Sequence, residues 1–308
     1  MSLAIGVDIG GTKTAIGLID DSGNISAQTK IPTDQGILPS QMIDRMIHTI
    51  KALLKENSLE ENEIMGIGIG APGPLDVKNG LISCPPNLPQ WIDIPVVQQF
   101  KHQFSIPVWL ANDASAAAVA EKWIGAGTDS NDFAYVTIST GIGAGFILNG
   151  KLYTGARGNA GDIGHMAVDT RVEGICGCGQ KGCFEYVASG TAIARLGTEI
   201  MEKSVTSIEA FSLYKDGHPE ITSMVEEVFE RIGMGCVTLI NALEPEFIVI
   251  GGGVSNVGEA LFKSVNDYVS KYALSPLGRE TRIIPSKLEN NTGLVGAAAL
   301  VWQNTEKI

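Results

Sequence analysis

The chain has 308 residues, 37 of them glycine, and a formal charge of 22 − 34 = −12. An apolar share of 44% excludes a disordered chain, and glycines without a G-X-Y period exclude collagen. The acidic balance speaks against a nucleic-acid backbone as partner, and the length predicts two domains.

The opening reads as a hairpin, with a strand over Leu3–Ile9 and another over Thr14–Ile19. A turn at Asp21–Asn24 leads to a third strand near Ile25. Apolar residues at Met42, Ile43, Met46, Ile47, Ile50 and Leu53 predict a helix from about Ser40 to Lys55. Ile64–Ile69 is a buried strand ending in Ala71-Pro72-Gly73-Pro74. A helix over Val96–Phe104 and a strand over Pro107–Leu110 follow. Asn112-Asp113 then opens an alanine-rich helix to about Trp123. The polar stretch Gly125–Asp132 marks a domain boundary. Past it come a strand over Phe133–Ser139, a turn over Gly141–Gly145 and a strand over Phe146–Leu148, repeating the N-terminal arrangement. Helices over Ser189–Glu202 and Met224–Leu243, a strand over Phe247–Ile250 ending in Gly251-Gly252-Gly253, and a helix over Gly293–Trp302 complete the chain. Strands alternating with helices in both halves predict two α/β domains with a cleft between them. We expect residues 1–122 to form the first, completed by 293–308, and residues 123–292 the second.

Two glycine turns stand out: Asp8-Ile9-Gly10-Gly11-Thr12-Lys13 and Ser139-Thr140-Gly141-Ile142-Gly143. Each joins two adjacent strands, where bare backbone lets N–H groups approach a phosphate. Thr12, Thr140 and Lys13 add donors, and Asp8 suits Mg²⁺. Either turn alone is equally a tight hairpin that uses glycine; the pair is what points to a nucleotide. Neither is a Walker loop or a dinucleotide fingerprint, because each feeds a strand.

Cys176-x-Cys178-x₄-Cys183, with His165 eleven residues earlier, offers three thiolates and an imidazole for a closed structural zinc site. Free cysteines around a core histidine are the alternative. Asp162 and Glu185 flank the cluster. Asp113, after a strand and at a helix start, is either an N-cap or a carboxylate placed to accept a hydroxyl proton. The N-terminus lacks a basic n-region and carries Asp8 in its apolar run, so no signal peptide is expected. No apolar run reaches a membrane span, and five cysteines make an odd number for a disulfide framework.

In this order and spacing the motifs resemble the ROK family of sugar kinases. The resemblance runs from Asp8-x-Gly-Gly-Thr-Lys13 through Asn112-Asp113, Ser139–Gly143, Gly161–His165 and the cysteine loop to Glu185 and Gly251–Gly253. It implies a two-domain, actin/hexokinase-like (ribonuclease H-like) α/β fold. It also implies Asp113 as the general base on a hexose hydroxyl, usually O6. The sugar would be held by Asn112, Asp113, Asp162, His165 and Glu185, with Gly73 and Asn87 as further contacts. The ATP phosphates, with Mg²⁺, would lie on Asp8, Gly10, Gly11, Thr12, Lys13, Thr140, Gly141 and Gly143, and the nucleoside on Gly251, Gly252 and Gly253. A structural Zn²⁺, a cytoplasmic homodimer, and no nucleic-acid or membrane partner complete what it implies. The family usually has glutamate where this chain has Asp162, which is one methylene shorter and leaves the sugar's identity open. The cysteine loop and Asn87–Trp91 resemble the glucokinase subgroup. N-acetylmannosamine kinase is the nearest rival, followed by fructokinase or allokinase. A sugar-sensing repressor is disfavoured, because only seven residues precede Asp8 where that branch carries a DNA-reading segment.

Overall fold

The computed structural model describes residues 2–288 and 291–305. The chain begins with three antiparallel strands, β1 (Leu3–Ile9), β2 (Lys13–Asp20) and β3 (Ile25–Pro32). Helix α1 (Pro39–Glu56) buries Met42, Ile43, Met46, Ile47, Ile50 and Leu53, the face its apolar period predicts. Strand β4 (Ile64–Ala71), the small hairpin β5 (Leu75–Asp76) and β6 (Leu81–Ile82), α2 (Val96–Lys101), β7 (Val108–Asn112) and α3 (Asp113–Ile124) follow. The sheet order is β3-β2-β1-β4-β7, with β1, β4 and β7 parallel.

The second half repeats this plan with β8 (Phe133–Ile138), β9 (Ile142–Leu148), β10 (Lys151–Tyr153), α4 (Phe184–Ala188), α5 (Gly190–Met201), α6 (Ser207–Lys215) and α7 (Pro219–Leu243). Then come β11 (Phe247–Gly251), α8 (Glu259–Tyr272), β12 (Arg282–Pro285) and α9 (Thr292–Asn304). The sheet order β10-β9-β8-β11-β12 matches the first sheet position for position. The expected turn at Gly141–Gly145 is shorter than read. β9 starts at Ile142, so Gly143, Ala144 and Gly145 are strand residues.

Two compact units result. One comprises Met1–Asn131, Gly145–Gly161 and Lys287–Ile308; the other comprises Asp132–Ala144 and Asp162–Ser286.

In the first unit α9 lies almost flat on β1 and β4, and glycine makes this possible. A Cβ at Gly68 would overlap the Ala297 carbonyl, and one at Gly6 would stand 2.5 Å from the Leu294 carbonyl oxygen. Gly296 on α9 likewise meets the Ala116 backbone of α3, where a Cβ would come within 2.7 Å. Much of the glycine excess therefore serves close packing of helix on sheet and helix on helix. Gly145, expected in a turn between two strands, belongs to the same group: its Cβ would press on the Ala114 carbonyl at 2.6 Å.

Candidate active site

Parallel pairing brings distant residues to one edge of the first unit. Asp8 aligns with Gly70 across β1 and β4, and Ala71 with Asn112 across β4 and β7. That edge is the carboxyl end of the parallel strands, where α/β folds place ligands. The helix cap there is Asn112, not Asp113. Asn112 Oδ1 accepts from the Ala114 N–H at 3.0 Å, with extended backbone at the cap. Asp113 becomes the first helical residue and is exposed, its Oδ1 also accepting from Ala114 N–H at 2.7 Å. Burial, reinforced by the charge of Asp113, pushes Asp8 up to about 6; Lys13 and Lys30 act in the opposite direction. Gly293, at the start of α9, has room for no side chain because a Cβ would overlap the Asp8 carboxylate.

The β1–β2 turn is closed by Gly10 N–H donating to the Lys13 carbonyl at 3.0 Å. Beside it runs the loop 85–91, anchored by buried Leu88 and Trp91 and by Trp91 N–H donating to the Leu88 carbonyl at 2.9 Å. This leaves Asn87 exposed, next to Gly11. Gly73 stands between β4 and β5.

In the second unit the turn Ser139–Gly141 is oriented by its carbonyls. Ser139 O accepts from Gly190 N–H at 2.7 Å, and Thr140 O from Thr191 Oγ1 at 2.8 Å. A trans peptide points its N–H opposite to its C=O. The N–H groups of Thr140 and Gly141 therefore face away from α5, as an anion-binding turn requires. Glu185 Oε2 accepts from Ile142 N–H at 2.9 Å and blocks any side chain at Gly141. One oxygen of this expected sugar ligand is thus pinned to the phosphate turn. Gly252, at φ +87°, faces the Ile138 carbonyl so closely that only glycine fits. A groove of about 810 Å³ opens beside these turns, lined by Thr140, Thr191, Val205, Phe211, Gly253 and Asn256 among others. Apolar walls with a few hydroxyl and amide groups suit a nucleoside.

His165, Cys176, Cys178 and Cys183 converge, their ligand atoms all within 4.8 Å of one another. Cys176 Sγ lies 3.6 Å from His165 Nδ1, and Cys178 Sγ lies 3.5 Å from Cys183 Sγ. A tetrahedron with bonds of about 2.3 Å to sulfur and 2.0 Å to nitrogen has edges of roughly 3.5–3.8 Å, so the donor set fits Zn²⁺. No disulfide competes for these thiols. Asp162 starts the short helical turn that carries His165; desolvation raises its carboxyl's pKa, against the lowering effect of His165 and with the help of Glu185. Behind the loop, buried Asp169 accepts from Arg171 Nε at 2.8 Å and Arg231 Nε at 3.3 Å, and is held at about 2. This anchor to α7 carries no motif and was not visible in the sequence. Neither was Gln35, whose amide reaches both Gly11 and Asn87.

The duplicated sheets, the paired glycine turns and the thiol–imidazole cluster define the actin-like fold of sugar-phosphorylating proteins. The chain belongs to the ROK family, which it matches over residues 4–304. It is 33% identical over 315 residues to the glucokinase of Halalkalibacterium halodurans, spanning 97% of this chain and 94% of that one. The ROK hexokinase structure from Thermus thermophilus aligns with TM-score 0.85 at 31% identity, over 99% of this chain and 100% of that one. The Streptomyces griseus ROK glucokinase, solved in complex with glucose and AMPPNP, aligns with TM-score 0.81 at 29% identity, covering 97% and 99%. Among the described residues, no helix is long and apolar enough to cross a membrane.

Proposed function

We propose that this chain transfers the γ-phosphoryl group of ATP to a hexose hydroxyl, with glucose and its O6 as the first choice. The observation that carries the reading is the placement of Asp113. It is exposed at the carboxyl edge of the parallel strands, as the first residue of α3 behind the Asn112 cap, and its charge acts on half-buried Asp8.

In this reading Asp113 accepts the hydroxyl proton as the sugar oxygen bonds to the γ-phosphorus and the bond to the β,γ-bridging oxygen breaks, releasing ADP. A positioned base contributes about 10²–10⁴-fold, and phosphate positioning contributes most of the rest. Gly11, Thr12 and Lys13 hold phosphate oxygens from the first unit, in a turn that the Gly10 N–H closes; Thr140 and Gly141 do so from the second. Gly143, inside β9, supports the turn from its strand; Gly253 lines the nucleoside groove, and Gly251 and Gly252 lead the chain to it. Asp8 would hold the Mg²⁺ of the nucleotide, which supplies charge neutralisation of the phosphates when bound. Burial and then the charge of Asp113 raise its proton affinity, and a bound cation would offset both.

The sugar is assigned to Gly73, Asn87, Asn112, Asp113, Asp162, His165 and Glu185. A zinc ion on His165, Cys176, Cys178 and Cys183 would fix the imidazole and leave Nε2 to meet a sugar hydroxyl, since Nδ1 faces the thiols. The shorter Asp162 supports a second reading, an N-acetylmannosamine kinase, because it leaves more room at the C1–C2 edge. We further assign the chain to the cytosol, where its free thiols stay reduced, and to a homodimer.

The test is ADP release with glucose, mannose, fructose, allose, N-acetylglucosamine and N-acetylmannosamine. Turnover of glucose supports the first reading, and preference for N-acetylmannosamine supports the second. Sugar binding without turnover of any would place the chain with non-catalytic sugar sensors.

A further inference from the structure

Gln35 lies between β3 and α1, in no regular element. Its Nε2 donates to the Gly11 carbonyl at 2.7 Å and to the Asn87 carbonyl at 3.1 Å. An amide nitrogen has two hydrogens to give, and here both are used. The Gln35 carbonyl in turn accepts from Gln90 Nε2 at 3.0 Å, so the clip is closed from the far side of the loop. The two segments it joins are already in close approach. A Cβ at Gly11 would stand 3.2 Å from both the Asn87 carbonyl oxygen and the Asn87 Cβ.

Both ends of the clip are braced. Asp34 Oδ1 accepts from Gly36 N–H at 2.9 Å, and Asp34 Oδ2 meets Arg45 Nη1 of α1 at 3.3 Å, which sets the bend carrying Gln35. The loop bearing Asn87 is rooted in the core by Leu88 and Trp91. Drawing the Gly11 carbonyl toward Gln35 also fixes the direction of the Thr12 N–H on the opposite side of that peptide. One exposed side chain therefore sets both a phosphate-facing donor and the position of Asn87.

We propose that Gln35 is a positioning residue that couples nucleotide binding at the β1–β2 turn to sugar binding at the 85–91 loop. The inference rests on the kinase reading above, since it needs phosphate at the turn and sugar at the loop. Ordering either segment pre-orders the other through the shared amide. By reciprocity, sugar tightens nucleotide by the same factor that nucleotide tightens sugar.

The test measures the dissociation constant of the accepted sugar with and without AMPPNP·Mg²⁺, and of AMPPNP·Mg²⁺ with and without sugar, by calorimetry. Two solvent-exposed hydrogen bonds correspond to a coupling of about fivefold. Gln35→Glu keeps the side chain's length but removes both donors, and Gln35→Ala removes the arm. Each should bring the coupling below about twofold and raise both KM values, with a smaller change in kcat. Gln90→Ala should give an intermediate value, with melting temperature unchanged in all three. Coupling retained in Gln35→Glu, or no coupling in the unsubstituted chain, overturns the proposal while leaving the kinase reading intact. An unsubstituted chain that turns over no sugar overturns both.

Discussion

Asp8→Asn should make the protein more stable and inactive at once. Burial raises the Asp8 carboxyl from 3.8 to about 6, a figure that already includes the relief from Lys13 and Lys30. Between those values the folded state keeps a proton that the unfolded state has released, so stability falls as pH rises. Each unit of displacement is about 1.4 kcal/mol, so at pH 4.5, where the unfolded chain has released the proton that folded Asp8 keeps, the cost to stability is about 1 kcal/mol. The cost reaches about 3 kcal/mol by pH 8 and grows no further. Asparagine resembles the neutral acid and escapes the cost. At roughly 2–4 °C per kcal/mol, Asp8→Asn should melt on the order of 6–12 °C higher at pH 8 and only a few degrees higher at pH 4.5. The assay is thermal unfolding by circular dichroism at both pH values without nucleotide. An equal margin at the two pH values, or a variant less stable at pH 8, would refute the reasoning.

Zinc analysis of the purified chain should find about one ion per chain, and Cys178→Ser should lose it together with sugar affinity; a metal-free chain with full affinity contradicts the cluster's role. Gly68→Ala should destabilise by about 2–3 kcal/mol in urea, because its Cβ would overlap the Ala297 carbonyl. Gly177→Ala, where no atom lies within 4 Å, is the control and should be close to neutral.

Features that repeat locally were legible from the sequence. The hairpin of β1 and β2, the apolar face of α1 and the spacing of Cys176, Cys178 and Cys183 each depend on residues a few positions apart. The zinc loop reads well because glycines and thiols have few other reasons to alternate so densely. Helices α6 and α8 carry local signals too: Thr206 and Glu209 form a capping box, and Leu261, Val265 and Val269 share a face. The two glycine turns are legible in the sequence, but the packing glycines are not. Gly6, Gly68 and Gly296 admit α9, but Gly6 and Gly68 meet residues more than 200 positions away, so no local pattern announces their purpose. The cap at Asn112 illustrates the same limit at short range. Asn112 and Asp113 are both good caps, and only the backbone decides which of them bends and which is left facing out. Gln35 has no motif, because its two acceptors are backbone carbonyls that any residue could supply.

The central claim is that Asp113 removes a hydroxyl proton from a bound hexose during phosphoryl transfer. Steady-state ADP release and equilibrium sugar binding, measured side by side for the unsubstituted chain and Asp113→Asn, test it most directly. Asparagine is expected to lower kcat by about 10²–10⁴-fold while sugar binding remains measurable. Near-normal turnover in Asp113→Asn would contradict it.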